Sequence, residues 1–455
     1  MNKTKDTFFT KDSVFYKTLF QMLLVIALQN LAAYSVNMAD NIMLGSYQQS
    51  ALSGAAAVNQ IFFVIQQFAL AIGNALVVLA SQYWGEKKVG PIRTLTGLVL
   101  KLGVISGGVI LVVCMLFPLP LMRLFTESPE IIDQGCQYLA ILQWTFPLFV
   151  VSTVLMAALR SVENVNISFY ISLISLAVNV GINYTLIFGR FGFPRLGIQG
   201  AAIGTLTARI LELVIAVVYL WKKEKNLRLF SKELFQKDQN LSRNYRKVAV
   251  PIIISQMIWS ISVPMQTAIL GHLSEDAIAA NSVASTFYQY LKVIVTAMAS
   301  TSAVMIGNAI GRGNIKRIRS DARTLSVIDI LIGLALGGLL ILLRHPLLSM
   351  YNLTEAATEM ALNLIVLMGV VMVGMSYQMP VSVGIIQGGG DTKFTLKMNM
   401  ISTWGIVMPL SFMAAFWWKW PVEAVVLVIQ SDQLFKGIPT LIHFRKYQWM
   451  KKLTK

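Results

Sequence analysis

Apolar residues fall in runs of about twenty or more, long enough to cross a bilayer as helices, with short polar stretches between them. The runs lie at about 18–45, 52–82, 95–117, 132–157, 165–188, 198–221, 247–270, 278–308, 323–343, 357–387, 395–417 and 422–444. None alternates polar and apolar positions as a membrane β-strand does. Backbone groups in hydrocarbon must pair within their own segment, which a helix achieves. The pattern therefore predicts an all-α polytopic membrane protein with twelve transmembrane helices. The first run follows a polar segment, Met1–Lys17, carrying Lys3, Lys5, Lys11 and Lys17. It is longer than a signal-peptide core and is read as a retained first helix.

Composition narrows the class. Of 455 residues, 56% are hydrophobic and 13% charged, about half the roughly 25% charged residues of a soluble domain. That is too little charge to clothe a soluble enzyme, a nucleic-acid binder or a disordered chain. The net charge of +17 reads as cytoplasmic loop charge rather than as a nucleic-acid surface. With both termini inside, the inner segments carry 29 Lys and Arg against 5 in the outer loops. By the positive-inside rule this predicts a multi-pass protein of the cell inner (plasma) membrane with both termini cytoplasmic and the charge runs solvated. Cys114 and Cys136 support no disulfide framework, and three scattered His residues make no metal site. Walker, HExxH and GxSxG motifs do not occur in the sequence. The expectation is neither an enzyme nor a cofactor-binding protein.

The longest polar stretch, WKKEKNLRLFSKELFQKDQNLSRNYRK, divides the spans six and six. Residues 1–221 are expected to form an N-terminal six-helix bundle, 222–246 a basic cytoplasmic linker, and 247–455 a C-terminal six-helix bundle. The halves look duplicated. At an offset of 226, residues 38–93 meet 264–319 without a gap, with 8 of 56 positions identical, among them Gly45/Gly271, Ala51/Ala277, Gly85/Gly311 and Arg93/Arg319. MLGSYQQSALSGAA faces ILGHLSEDAIAANS, and LRSVEN later meets IQGGGD at offset 227. An even number of spans per half predicts two bundles of like topology, related by a pseudo-two-fold axis along the membrane normal, with a cavity near the midplane.

Ionisable residues at bilayer depth are costly and are functional candidates by default. Asp40 stands late in the first span, in SVNMADNIMLG, with Asn37 three residues before it. Asn179 and Asn183 are i, i+4 in the fifth span, on one helix face. The sixth span opens GIQGAAIGTLTAR, whose small residues admit close helix approach and whose Thr205 adds a hydroxyl. Together they can form an all-oxygen pocket for a monovalent cation, Na+ at Asp40, Asn179 and Asn183, or for a proton on Asp40. The competing reading is interhelical hydrogen bonding by the amides, with Asp40 near the headgroups. Arg209 with Glu212 and Asp432 with Lys436 are spaced to neutralise each other. Lys292 has no acidic residue in its own span, so it pairs with a carboxylate of another helix or faces the cavity. Asp329 lacks an obvious partner, with Arg323 in reach through water. The 22 Met and 23 Phe suit lipid contact, packing or an adaptable cavity. Asn37, Gln256, Met257, Lys292 and Tyr377 are the candidate cavity residues. IQGGGD leaves a span and is read as a tight cytoplasmic turn.

These motifs carry a resemblance. MADNIMLG, ASQYWGEKKVGPIR, the pair LRSVEN and IQGGGD, and above all NVGINYTLIFGRFGFPRLGIQGAAIGT at 179–205 make the chain similar to bacterial transporters of the multidrug and toxic compound extrusion (MATE) family. The resemblance implies two six-helix bundles around a V-shaped cleft. It implies alternating access, with export of drugs or organic cations against an inward H+ or Na+ gradient. It implies a small-molecule substrate, amphipathic or cationic, a lipid bilayer around a monomer, and no cofactor beyond the coupling ion. The family's acidic residue of span one and polar residues of spans five and six carry over onto Asp40, Asn179, Asn183 and Thr205.

Departures from the family pattern shift the expectations. Many members have Asp where this chain has Asn183; with one carboxylate fewer, protonation of Asp40 alone stands beside Na+ binding, and both H+ and Na+ coupling stay open. Spans seven and ten hold no Asp or Glu, so ion coupling in the C-terminal half is not expected. Val25 stands where the family often has proline, and Pro251 occupies the duplicate position, so no proline-driven bend of span one is expected. Lys292 keeps an anionic or zwitterionic substrate open. The alternative reading is a lipid-linked oligosaccharide flippase of the same superfamily, against which twelve spans and one mid-membrane lysine argue. A non-transporting scaffold or enzyme would need polar residues clustered on a loop.

Overall fold

A computed structural model describes residues 8–271, 275–349, 351 and 353–454. Lys3 and Lys5 of the polar N-terminal run, and 272–274 of the duplicated segment, lie outside the described residues. The membrane helices are α1 (Ser13–Tyr47), α2 (Gln49–Gly85), α3 (Val89–Leu116), α4 (Pro129–Leu142 with Thr145–Ser161), α5 (Asn166–Phe188) and α6 (Ile198–Lys222). They continue as α7 (Gln239–Gly271), α8 (Glu275–Arg312), α9 (Ile315–Leu342), α10 (Glu355–Gln387), α11 (Thr392–Trp417) and α12 (Val422–Lys446). Among the described residues eleven helices are long and apolar enough to span a bilayer, and the bent pair α4, taken as one span, makes twelve. The chain is an all-α polytopic membrane protein.

Departures from plain α-helix have local causes. α4 bends by 49° between Leu142 and Thr145, where the hydropathy run predicts one straight span. Pro147 has no N–H for the Gln143 carbonyl, and the Thr145 hydroxyl takes over the Leu142 carbonyl at 2.6 Å. In α10 the helix widens into π turns over Pro380–Gln387, again where a proline enters. α7 begins at Gln239, eight residues ahead of the apolar run, because its first turns are amphipathic rather than spanning. Pro251 and Pro264 are accommodated inside it.

Compactness divides the chain at points other than the polar stretch. An N-terminal unit comprises residues 28–80 and 88–249, and a C-terminal unit comprises 8–27, 81–87 and 250–454. α1, α2 and α7 therefore each change unit along their length.

In the N-terminal unit, Leu44, Ala51, Val58, Phe62, Tyr138, Leu139 and Phe146 form a buried core. The basic stretch after α6 is not simply solvated. Leu227 and Leu229 are fully buried, Glu224 accepts from the Leu227 and Arg228 amides at 2.6 and 3.0 Å, and Arg93 donates to the Leu227 carbonyl at 2.7 Å. A short turn, Lys232–Phe235, lies on α3 at Gly97, where a Cβ would fall 1.8 Å from the Leu234 carbonyl oxygen. Sequence charge alone hid the alternating leucines that dock this segment.

In the C-terminal unit, α9 and α10 approach through small residues. A Cβ on Gly337 would fall 2.3 Å from the Gly369 carbonyl, and one on Gly333 2.6 Å from Ser376 Cβ. Without a hydrophobic force between helices in lipid, such close van der Waals packing holds them. The residues before α1 are tied to α9, with Thr10 N donating to Thr324 Oγ1 at 3.0 Å. The IQGGGD turn is buried: Gly390 has φ +102°, and Asp391 faces His443 and Lys451, each at 3.0 Å.

Candidate ion-binding site

The site in the N-terminal unit grows from one tight corner. α5 ends at Gly189 in the left-handed conformation, φ +68°, and α6 starts after Gly197, φ +54°. Positive φ suits glycine because no Cβ is present. At Gly197 the space a Cβ would need is filled by the Tyr47 ring, 2.6 Å away. The Leu196 amide returns to the Leu186 carbonyl at 2.8 Å, laying α6 against α5. Gly200 and Gly204 then bring the backbones close: a Cβ on Gly200 would fall 2.7 Å from the Leu186 carbonyl carbon.

That approach closes the polar cluster. Asn183 Nδ2 donates to Asp40 Oδ1 and to Asn179 Oδ1 at 3.3 Å. Asn179 Nδ2 donates to Thr205 Oγ1 at 3.2 Å. Asn179 and Asn183 are fully buried, Asp40 is 6% exposed, and Asn183 Oδ1 has no hydrogen-bond partner among the described residues. The four residues read from the sequence thus meet in one chain of contacts, in which the amides do bond across helices and Asp40 is buried among protein groups. Asp40 has no ion-pair partner among the described residues. A carboxylate out of water is neutralised by a proton or a cation. Three side-chain oxygens beside it, one of them free, provide ligands or acceptors for either.

Two neighbours complete the surroundings. Tyr138 on α4 is buried, reaches Thr205 with its hydroxyl and acts electrostatically on Asp40. Sequence reading missed it; the signal was a lone tyrosine in GCQYLAIL, just before the break in α4. Arg209 pairs with Glu212 at 2.7 Å, as its spacing predicts, and lies over the Phe149 ring at 4.9 Å. Asn37 departs from expectation. It is exposed and takes no part in the hydrogen bonds that hold Asp40.

The remaining cavity candidates lie in the C-terminal unit. Gln256, Met257, Lys292 and Tyr377 are half-buried. Lys292 Nζ sits 5.2 Å from the Trp259 ring centroid, a cation–π contact. The carboxylate from another helix that acts on it is Asp432, which bonds Lys436 Nζ at 2.7 Å. Lys436 also reaches Asn399 Oδ1 at 3.0 Å, and Asn399 donates to Ser255 at 2.7 Å. Asp329 is not served by Arg323, whose Nε donates to the Tyr447 hydroxyl at 2.7 Å. Both carboxyl oxygens of Asp329 are buried without a hydrogen-bond partner among the described residues. Among the described residues no group of three His, Cys, Asp or Glu could hold a metal ion.

The family model MatE matches residues 26–185 and 251–413. The chain belongs to the MATE family. It is a transporter, not an enzyme. The MATE model covers both halves and leaves the docked basic stretch between its two blocks. Among curated relatives, a probable multidrug resistance protein NorM of Rhizobium meliloti (strain 1021) is 26% identical over 93% of this chain and 91% of its own. The probable multidrug resistance protein YoeA of Bacillus subtilis (strain 168) is 24% identical over 88% of this chain and 87% of its own. Among solved structures, a variant of the Vibrio cholerae MATE transporter VcmN superposes with a TM-score of 0.87 at 19% identity, covering 97% of this chain and 98% of that one. At that identity the likeness shows the MATE fold.

Proposed function

We propose that this MATE protein is a secondary antiporter that exports amphipathic or cationic small molecules, including drugs, in exchange for an inward-moving ion. The coupling ion binds at Asp40, with Asn179, Asn183 and Thr205 around it. A proton is the first candidate, because Asn183 supplies an amide where a second carboxylate would favour Na+. The carrying observation is the buried Asp40 carboxylate held by the Asn183 amide, with no cation at ion-pair distance among the described residues and Arg209, itself paired with Glu212, acting on it only from farther away.

In this reading, substrate enters from the cytoplasm or the inner leaflet. An external ion neutralises Asp40 and shifts the balance between inward- and outward-open forms toward release. Such a shift equals the ion's differential affinity for the two forms and no more. The protein works as a monomer in the cell inner membrane, with both termini cytoplasmic. The charge bias of the loops supports this placement, and the multidrug resistance names of the NorM and YoeA relatives support the export reading.

A second substrate class is favoured by Lys292, a half-buried cation over Trp259. It suits a substrate that carries an anionic group, alone or with a cation.

The test is uptake into everted vesicles under an imposed pH or Na+ gradient. Wild-type protein is expected to respond to the pH gradient, and Asp40→Asn protein to neither. Unchanged gradient-driven uptake by Asp40→Asn would remove this residue from the mechanism, and a response to Na+ alone would replace the proton.

A further inference from the structure

Asp329 on α9 is 1% exposed, and among the described residues neither of its carboxyl oxygens has a hydrogen-bond partner. Two hydroxyls of α10, Ser376 Oγ and that of Tyr377, are likewise buried and unpartnered. The two helices run antiparallel through the Gly337/Gly369 and Gly333/Ser376 contacts. Asp329 precedes Gly333 by one turn on the same face. The register therefore sets it against residues 377–380, and Asp329 acts electrostatically on the Tyr377 hydroxyl. At Pro380 the helix changes to wide π turns. Proline has no N–H, so a carbonyl one turn back loses its α-helical donor.

The charges around this place are committed elsewhere. On α9, Arg319 lies over the Tyr447 ring at 4.8 Å, Arg323 bonds the Tyr447 hydroxyl, and Asp321 bonds Thr10. On α10 the titratable group that faces Asp329 is Tyr377, and Arg445 of α12 acts on Tyr377 in turn. On α8, Lys292 is engaged by Trp259 and Asp432, the Tyr288 hydroxyl by Met375 sulfur at 2.9 Å, and Arg312 by Asn308 at 3.0 Å. Among the described residues Asp329 has no cation within ion-pair distance. An ionised carboxylate without a protein donor or counter-charge is not sustained in such an interior. A proton removes the charge and turns the acid into a donor for the two hydroxyls that lack one.

We propose that Asp329 is a second proton-binding site, in the C-terminal unit, tied through Ser376 and Tyr377 to the wide turns of α10. Releasing the proton places a charge in the α9–α10 contact. The contact must then open to water or bring in a donor, so the protonation state and the shape of α10 are linked. Occupancy of this site is independent of the antiport reading, whereas its part in the transport cycle rests on that reading.

The experiment uses full-length protein in lipid nanodiscs and reads the infrared C=O band of protonated carboxyl groups across a pH titration. Asp40→Asn protein, which keeps Asp329, is expected to retain a protonated-carboxyl component that shifts down in D2O. Adding Asp329→Asn to Asp40→Asn is expected to remove that component in the double variant, and the asparagine matches the protonated acid in shape. No such component in Asp40→Asn, or its persistence in the double variant, overturns the proposal. So does its loss on adding Na+ at fixed pH, which would mark a cation site. In proteoliposomes, Asp329→Asn is expected to shift the pH profile of gradient-driven uptake, and an unshifted profile takes Asp329 out of the cycle. If Asp40→Asn transports normally, the antiport reading fails while the infrared result for Asp329 stands.

Discussion

The side-chain oxygen of Asn183 occupies the space that a Cβ on Gly204 would claim, 2.0 Å from its ideal position. The glycine in GIQGAAIGT thus has a chemical consequence as well as a packing one, because it lets the Asn183 amide turn between Asp40 and α6. Gly204→Ala is expected to displace that amide and break its bond to Asp40, with little change elsewhere. The expected result is a tenfold or greater fall in gradient-driven uptake, with a melting temperature within a few degrees of wild type. Overpacking of this kind costs about 1–3 kcal/mol. Normal uptake by a folded Gly204→Ala protein would mean that Asn183 does not position Asp40.

Asn183→Asp adds a second carboxylate next to Asp40. Two like charges in one buried site cannot both stay ionised without a cation. The variant is expected to take up substrate in response to a Na+ gradient, or more strongly than wild type does. Vesicle assays at matched pH with and without Na+ check this, and a Na+ response equal to wild type would argue against a cation pocket at these oxygens.

Asp432 is the only carboxylate among the described residues that engages both Lys436 and Lys292. Asp432→Ala leaves Lys436, 5% exposed, with an uncompensated charge. Breaking a buried pair on one side costs about 3–5 kcal/mol, so a marked drop in thermal stability is expected. Replacing both partners, Asp432→Leu with Lys436→Met, is expected to recover most of it. Equal losses in the single and double variants would show that the pair contributes shape rather than charge.

The basic stretch between the halves is held by Gly97 against Leu234 and by Arg93 on the Leu227 carbonyl. Gly97→Val puts methyl groups into the Leu234 backbone and is expected to undock the stretch. Limited proteolysis of nanodisc-embedded protein reads this as faster cleavage between Lys222 and Lys237. An unchanged cleavage rate would mean that the leucines hold the segment without that contact.

Much of this protein is local and could be read from the order of its residues. Bilayer thickness sets span length, so runs of apolar residues were enough to count twelve helices. The spacing of Asn179 and Asn183 placed both on one face of α5, and GIQGAAIGT announced a close helix neighbour with Thr205 on it. What the tertiary structure decided depends on partners far along the chain. Tyr138 belongs beside Asp40 only because the bent α4 packs there. The docking of 224–235 on α3 needs contacts over more than a hundred residues, which charge counting does not register. Asn37 falls outside the cluster although its spacing from Asp40 promised otherwise, because burial is set by neighbouring helices rather than by one helix alone. Asp329 shows the same division: its place in an apolar span is visible in sequence, but its lack of a hydrogen-bond partner among the described residues is a property of α9 packed against α10.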